Sequence, residues 1–289
     1  MKLGLRAAGP EGSSEARAGL SGSGPGNRDS EAARSQPAEV PWAVELDNLG
    51  KSYPIGWTGG RRKAVEALSL RLAPGQVLGV LGPNGSGKST MLKALAGLIT
   101  PSDGQCRIMG HPAGSAQARA VVGYLPESSR FAPYQTGRGF LHYCAGLSSI
   151  PPGKVTARID AVLLWAGLGA AADRKMATYS KGMLQRIGLA QALVHEPAVV
   201  LLDEPASGLD PEGRLALAKL IRDLADQGRA VVFSSHLLAQ AGEICDRIAI
   251  LGRGRLLAEG TPAELFGAAP RPAVEASPIE RLYLEKLHG

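Results

Sequence analysis

The sequence predicts an α/β fold, with a mixed sheet core that is interrupted by an inserted helical segment. Residues 76–81 form a short apolar run that enters a glycine-rich turn, residues 82–90, from which a helical pattern leaves. Residues 198–202 and 229–234 have the apolar pattern of strands that are covered on both faces. From about residue 131 to residue 193 the pattern changes from strand to helix. Together these features indicate a sheet core with helices packed on it.

Apolar periodicity assigns the other elements in chain order. Residues 43–49 alternate as a half-buried strand does, and a glycine- and arginine-rich insert at residues 56–63 resembles a hairpin. Further strands are expected at residues 67–72, 105–109, 120–125, 246–251 and 255–258. The apolar residues that recur at helical spacing in the inserted segment are Ile159, Val162, Leu163 and Ala166. Other helices are expected at residues 187–194, from Pro211, and shortly after Pro262.

The two ends of the chain differ in composition from the middle. Residues 1–40 are dominated by Gly, Ser, Ala, Pro and Arg, and such a segment buries too little apolar surface to offset its ordering entropy. We expect a disordered extension, with a partner-binding tail as the alternative. The ordered domain is expected at residues 41–267, with the helical subdomain at about 131–193. Residues 268–289 form a tail in which a short helical pattern, residues 279–287, returns.

Charge and cysteine content restrict the class of protein only loosely. The chain has 289 residues and a formal net charge of +6. A mild basic excess suits ATP, anionic lipid or nucleic acid, and an ordinary solvated surface explains it equally well. The three separated cysteines Cys106, Cys144 and Cys245 fit a reducing compartment and argue against a disulfide framework or a structural zinc site. The N-terminus lacks a signal-peptide core, and no run of about 18 apolar residues predicts a membrane-spanning helix.

The glycine-rich turn matches the pattern G-x-x-x-x-G-K-[ST], which wraps the phosphates of a nucleotide. Its glycines let backbone N–H groups turn inward, and the following helix adds its N-terminal donors. Lys88 would neutralise the β- and γ-phosphates, and the Ser89 hydroxyl would ligate Mg²⁺. A plain glycine-rich βα turn is the alternative. The predicted phosphate site comprises Gly82, Pro83, Asn84, Gly85, Ser86, Gly87, Lys88, Ser89 and Thr90.

Two further motifs fit the same chemistry. The apolar strand at residues 199–202 ends in Asp203, expected to bind Mg²⁺, and Glu204, expected to orient and deprotonate the attacking water. A helix N-cap pair is the alternative for these two carboxylates. Ser180, near Gly182 and a helix start, would make a second phosphate-binding surface. Since one chain has no obvious use for two γ-phosphate sites, the second surface is expected to serve the ATP of another copy.

These motifs, in this order, make the chain resemble an ATP-binding-cassette (ABC) transporter ATPase subunit over roughly residues 43–265. The Walker A, signature and Walker B motifs correspond to residues 82–90, 180–183 and 201–204. The D-loop corresponds to residues 207–210 and the switch histidine to His236. The resemblance implies the P-loop NTPase fold: a RecA-like mixed sheet core with an antiparallel β subdomain and an inserted α-helical subdomain.

The resemblance also implies roles for individual residues. Tyr53 stands where an aromatic ring stacks on adenine, with Trp57 as a nearby replacement. Lys88, Glu204 and His236 would be catalytic, and Asp210 would couple two sites. Two copies would close head to tail over two ATP molecules, so that Ser180 and Gly182 of one copy cap the γ-phosphate bound by the other.

Two departures from the family pattern occur together. Glu127 stands where the family has its Q-loop glutamine, so that a carboxylate would reach the nucleotide and Mg²⁺. The signature, residues 179–183, is Tyr-Ser-Lys-Gly-Met instead of Leu-Ser-Gly-Gly-Gln. Both occur in a subset of ABC exporters whose permease is a separate six-helix chain.

The expected partners follow from that subset. They are a second copy of this chain and integral-membrane permease subunits, with no nucleic acid, at the cytoplasmic face of the inner (plasma) membrane. The alternatives are a soluble ABC-type ATPase with a non-transport partner and a nucleotide-binding regulator without turnover. The chain has one cassette, and only about ninety residues separate Thr90 from Ser180, which argues against the soluble ABC-type ATPase. Both Glu204 and His236 are present, which argues against the regulator.

Overall fold

A computed structural model describes residues 42–56, 59–148, 150–235 and 241–267, apart from the side chains of Ala241 and Glu243. Several predictions fall outside the described residues. They concern the disordered extension at residues 1–40, the helical pattern in the C-terminal tail, Trp57 as the alternative aromatic residue, and the switch histidine His236.

The described chain alternates between strands and helices. The strands are β1 (Val44–Ile55), β2 (Gly60–Leu72), β3 (Val77–Leu81), β4 (Asp103–Ile108), β5 (His111–Pro112), β6 (Val122–Leu125), β7 (Val199–Leu202), β8 (Ala230–Ser235), β9 (Arg247–Gly252) and β10 (Arg255–Gly260). The helices are α1 (Lys88–Leu95), α2 (Ala116–Ala120), α3 (Gly137–Gly146), α4 (Val155–Trp165), α5 (Lys181–Leu193), α6 (Pro211–Asp226), α7 (Ala241–Ile244) and α8 (Pro262–Phe266).

A four-stranded antiparallel sheet is formed in the order β2-β1-β4-β5. The glycine- and arginine-rich insert is the distal end of the β1–β2 hairpin, where Tyr53 pairs with Arg62 and Ile55 with Gly60. The insert therefore lengthens the two strands instead of interrupting them.

The second sheet has six strands in the order β10-β9-β3-β8-β7-β6. Strands β3, β6, β7, β8 and β9 run parallel, and β10 is antiparallel to β9. The register pairs Leu81 with Ser235, and Leu125 with Leu202. The carboxyl ends of β3, β6, β7 and β8 therefore meet at one edge, which brings the segments after these strands together.

Three apolar clusters hold these layers. One lies between the antiparallel sheet, α1 and one face of the parallel sheet, and a second covers the opposite face with α6. The third is made by the inserted helices α3, α4 and α5, around Leu141, Ile159, Leu163 and Ile187. The inserted helices therefore have an apolar core of their own, and α5 connects it to the second cluster through Leu189 and Leu193.

Two boundary predictions were wrong. The expected strand at residues 120–125 is divided between α2 and β6, and α2 begins where the Ser115 hydroxyl accepts a hydrogen bond from the Ala118 N–H. The helix expected from residue 187 begins at Lys181, because the Ser180 hydroxyl accepts from the Met183 N–H at 3.3 Å and caps it. Within the described ranges, none of the helices is long and apolar enough to cross a membrane.

Candidate nucleotide site

The loop between β3 and α1 has a backbone that requires glycine at two positions. Gly82 and Gly87 have φ of 154° and 107°, in the region that side chains rarely adopt. A Cβ at Gly82 would collide with the Leu251 carbonyl oxygen, and one at Gly87 would lie 2.7 Å from that of Ala64. The loop is therefore wedged between β9 and β2, and α1 follows directly with its N-terminal N–H groups at the loop.

Lys88 is the cation of this loop, and its side chain is only 5% exposed. Its ammonium donates to the carbonyl oxygens of Gly82 at 2.7 Å and Pro83 at 3.2 Å. It also lies 3.5 Å from Oε1 of Glu204. A buried charge needs such partners, and phosphate oxygens are acceptors of the same kind.

Asp203 follows β7 and is 1% exposed. Its Oδ1 accepts hydrogen bonds from the Ser89 hydroxyl at 3.0 Å and from the Ser234 hydroxyl at 2.7 Å. Ser234 also accepts from the Glu204 N–H at 2.8 Å, so one hydroxyl on β8 orients both carboxylate residues. The Ser89 and Asp203 oxygens are hard donors of the kind that Mg²⁺ takes, so the residues present fit that cation.

The fit depends on the nucleotide as well as the protein. Among the described residues, no group of three or more His, Cys, Asp and Glu side chains could hold a metal by itself. Mg²⁺ is usually held by one or two carboxylates together with substrate phosphates. Ser89 and Asp203 therefore supply only part of the ligand set that Mg²⁺ needs, and phosphate oxygens would have to supply the rest.

Glu204 has a strained backbone. Its φ of 48° lies in the left-handed region, which is uncommon for a residue with a side chain. The hydrogen bond from its N–H to Ser234 and the ion pair with Lys88 hold this conformation. Strain held by surrounding contacts is characteristic of functional sites, and it points the Glu204 carboxylate toward the Lys88 ammonium.

A cleft of about 880 Å³ opens over the loop, and Tyr53, Glu127 and Glu204 all line it. Tyr53 is 37% exposed, and the Lys51 ammonium lies 5.3 Å from its ring centroid. Arg62, opposite Tyr53 in the hairpin, also lines the cleft and was not predicted. The arginine-rich insert was the sequence feature that could have indicated Arg62. However, only the register of the β1–β2 hairpin brings this arginine to the phosphate loop.

A second cleft, of about 620 Å³, contains the remaining predicted nucleotide-binding residues, Ser180, Gly182 and Asp210. The side chains of Ser180 and Asp210 cap α5 and α6, and Oδ1 of Asp210 accepts from the Gly213 N–H at 2.7 Å. No residue of the loop at 82–90 lines this cleft. Within one chain, the structure therefore divides the predicted residues between two separate surfaces.

The two clefts are linked through the segment that follows β7. The Gln185 side-chain amide donates to the Pro205 carbonyl oxygen at 2.9 Å, which ties α5 to the residue after Glu204. Lys181 lies over Gly208, where a Cβ would meet the lysine side chain. Neither contact was predicted, because both join residues that are distant in sequence and have no motif of their own.

Comparisons with known proteins identify relatives of this chain. The family model described as ABC transporter matches residues 65–207. An ABC transporter ATP-binding protein of Synechocystis is 43% identical over 82% of this chain and 68% of its own length. A Nod factor export ATP-binding protein I of Paraburkholderia xenovorans is 35% identical over 78% of this chain and 73% of its length.

Solved structures agree on the fold. The ATP-binding subunit of an ABC transporter matches with a TM-score of 0.72 and 27% identity, over 84% of this chain and 99% of that one. A dimeric post-hydrolysis state of the cassette MJ0796, bound to ADP and Pi, matches with a TM-score of 0.69 and 25% identity, over 76% of this chain and 98% of that one.

The fold and the site define an α/β P-loop ATPase, as predicted from the sequence. The chain belongs to the ABC transporter ATP-binding family, and it is an ATPase domain that binds ATP.

Proposed function

We propose that this chain is the ATP-hydrolysing subunit of an ABC exporter, in which two copies dimerise to drive a separate membrane permease. The observation that supports it best is the convergence of Lys88, Ser89, Asp203 and Glu204 at one edge of the parallel sheet. Export is favoured because one relative is named a Nod factor export protein and another a linearmycin resistance ATP-binding protein.

Hydrolysis follows from the positions of these side chains. Lys88 and the loop N–H groups hold the β- and γ-phosphates. The loop carbonyl oxygens of Gly82 and Pro83 accept hydrogen bonds from the Lys88 ammonium and so keep it at the loop. Ser89 and Asp203, with Glu127 nearby, would hold Mg²⁺, which would neutralise charge at the phosphates. Glu204 orients the attacking water and accepts its proton, while His236 is assigned from its motif to stabilise charge on the γ-phosphate.

Dimerisation accounts for the second cleft. Ser180 and Gly182 lie away from the phosphate loop of their own chain, so their proposed ligand is the γ-phosphate bound by a second copy. The N-terminus of α5, thirteen residues long, adds backbone donors beside Ser180. Asp210 at the start of α6 would then couple one site to the other.

The permease contact is proposed in a groove near Glu127 and the helical insertion. Large apolar side chains are exposed on that insertion, including Tyr134, Tyr143, Leu147 and Leu164. Such a surface is typical of a protein–protein contact. We place the ATPase domain at residues 41–267, peripheral on the cytoplasmic face of the inner (plasma) membrane through its permease, with no nucleic acid as partner.

Recovery of the protein from mild-detergent membranes tests this assembly. The tagged full chain should copurify with an integral-membrane chain, and alanine at Tyr143 and Leu147 should weaken the association. Alanine at the exposed Leu215 on α6 is a matched control that removes similar apolar area elsewhere. Recovery only in the soluble fraction, together with ribosomes, would contradict the proposal.

A further inference from the structure

Tyr124 has no part in the function described so far. It lies on β6, three residues before Glu127, and pairs with Leu201 of β7, two residues before Asp203. The Asp203 N–H donates to the Leu125 carbonyl oxygen at 2.9 Å, which fixes the ends of the two strands side by side. The Tyr124 ring packs against the apolar cluster that includes α1, the helix that carries Ser89.

The phenol hydroxyl is buried but makes no hydrogen bond with any residue that the structure describes. Buried hydroxyls are nearly always paired, because an unpaired one loses its interaction with water and gains nothing in return. A buried donor without an acceptor, on the strand that pairs with the one leading to Asp203, therefore points to an acceptor that comes with the ligand.

The surroundings of the phenol keep it in the protonated form. Burial raises the pKa of Tyr124, and the negative charges of Asp203 and Glu127 raise it further. The phenol therefore stays protonated and neutral, and can act as a hydrogen-bond donor next to two carboxylates. A cation bound by Asp203 would keep several water molecules, and the oxygens of these waters would be the acceptors for the Tyr124 hydroxyl.

We propose that Tyr124 is a positioning residue for the nucleotide-bound divalent cation, and that its hydroxyl donates to the water shell of that cation. The inference rests on the proposed Mg²⁺–ATP site. Outer-shell hydrogen bonds orient metal ligands, and their removal typically weakens metal affinity about 10- to 100-fold. Tyr124 would act through the cation and its water, without touching the phosphates.

Tyr124→Phe tests this, since it removes only the hydroxyl. A fluorescent, non-hydrolysable ATP analogue is bound to the full chain in EDTA and then titrated with Mg²⁺. The half-saturating Mg²⁺ concentration should rise about tenfold or more, while analogue affinity in EDTA stays unchanged. Mn²⁺ titration followed by electron paramagnetic resonance should give the same shift.

Tyr179→Phe is the matched control. It also removes a phenol hydroxyl, but that hydroxyl donates to the Ala171 carbonyl oxygen at 2.7 Å in the inserted helices. It should lower the melting temperature and leave the Mg²⁺ dependence unchanged. Ligand-free Tyr124→Phe should melt at or above the wild-type temperature, because it breaks no hydrogen bond in the free protein.

Three outcomes would overturn the inference. An unchanged Mg²⁺ midpoint in Tyr124→Phe would make the residue a core aromatic only. If Tyr124→Phe lowers analogue affinity equally with and without Mg²⁺, the hydroxyl affects nucleotide binding and not the cation. A wild-type protein that binds the analogue without any Mg²⁺ dependence would remove the proposed metal site itself, which separates that failure from a failure of Tyr124 alone.

Discussion

The two clefts differ in how complete they are within one chain. In the phosphate-loop cleft, Lys88, Asp203 and Glu204 are buried and tied to one another through hydrogen bonds and an ion pair. In the second cleft, the polar groups of Ser180 and Asp210 are used as helix caps, and leucines and Trp165 form much of the wall. The first cleft therefore has its charged groups already connected within one chain, whereas the polar side chains of the second cleft are used to begin helices.

Glu204→Gln should give the largest effect, on the first cleft. It keeps the size and the backbone of the residue but removes the base, so hydrolysis should fall roughly 10²- to 10⁴-fold, while ATP binding is retained. Phosphate release and binding of a fluorescent ATP analogue measure the two effects. Glu66→Gln, at the surface of the β1–β2 hairpin, is the control and should hydrolyse ATP normally. Unchanged turnover in Glu204→Gln would exclude this residue as the base.

Lys88→Ala should weaken nucleotide binding to the same cleft. Loss of one or more charge-assisted hydrogen bonds predicts an affinity lower by roughly 10- to 100-fold. The measurement is titration with the fluorescent analogue, with Lys51→Ala as the control for a cation that contacts Tyr53 from outside the loop. A normal affinity in Lys88→Ala would show that the phosphates bind elsewhere.

Mixing two defective variants tests whether the clefts belong to one site. Lys88→Ala damages only the first cleft, and Ser180→Asp places a negative charge in the second. If the site is shared between copies, the mixture should recover part of the hydrolysis that neither variant has alone. The wild-type rate should also rise more steeply than linearly with protein concentration below dimerisation. Absence of recovery, together with a linear rate, would mean that each chain works alone.

Ser180→Ala should give the smallest effect, and its comparison with Ser180→Asp separates the two roles of Ser180. Ser180→Ala removes the cap of α5 and should lower the free energy of unfolding by about 1 kcal/mol. Ser180→Asp keeps a good cap and should leave this free energy unchanged, yet it should impair hydrolysis more because its charge repels a phosphate. Denaturant unfolding and phosphate release measure the two roles. If the alanine variant hydrolyses less ATP than the aspartate variant, only the cap matters.

The sequence was most informative where chemistry is local. The phosphate loop and the carboxylates after β7 lie directly after apolar strands, so both were predicted with the α/β fold, which is confirmed. The start of α5 was missed because Gly182 interrupts residues that otherwise favour a helix, and the Ser180 cap decides where the helix begins. The strand predicted at residues 120–125 is present as β6, but it begins two residues later because α2 extends to Ala120.

Contacts between distant segments could not be predicted from any local pattern. Ser234 orients Asp203 across thirty-one residues, and Arg62 reaches the nucleotide cleft only through its register with Tyr53. Tyr124 has no motif at all, and its position beside Asp203 depends on the pairing of β6 with β7. In each case the residue type is ordinary, and the tertiary fold gives it a neighbour.

The support of the phosphate loop by the β9–β10 turn is made from backbone atoms. The Gly254 N–H donates to the Ser86 carbonyl oxygen at 3.1 Å, and the Glu66 N–H donates to the Gly254 carbonyl oxygen at 2.7 Å. This three-segment bridge joins the two sheets at the loop without using the side chain of Glu66 or of Ser86. Because the bridge uses only backbone atoms, no sequence motif marks it. It nevertheless limits how far the phosphate loop can move. The Glu66 side chain, which pairs with Lys63 and Arg255 at the surface, could therefore be replaced while this backbone bridge keeps the loop anchored.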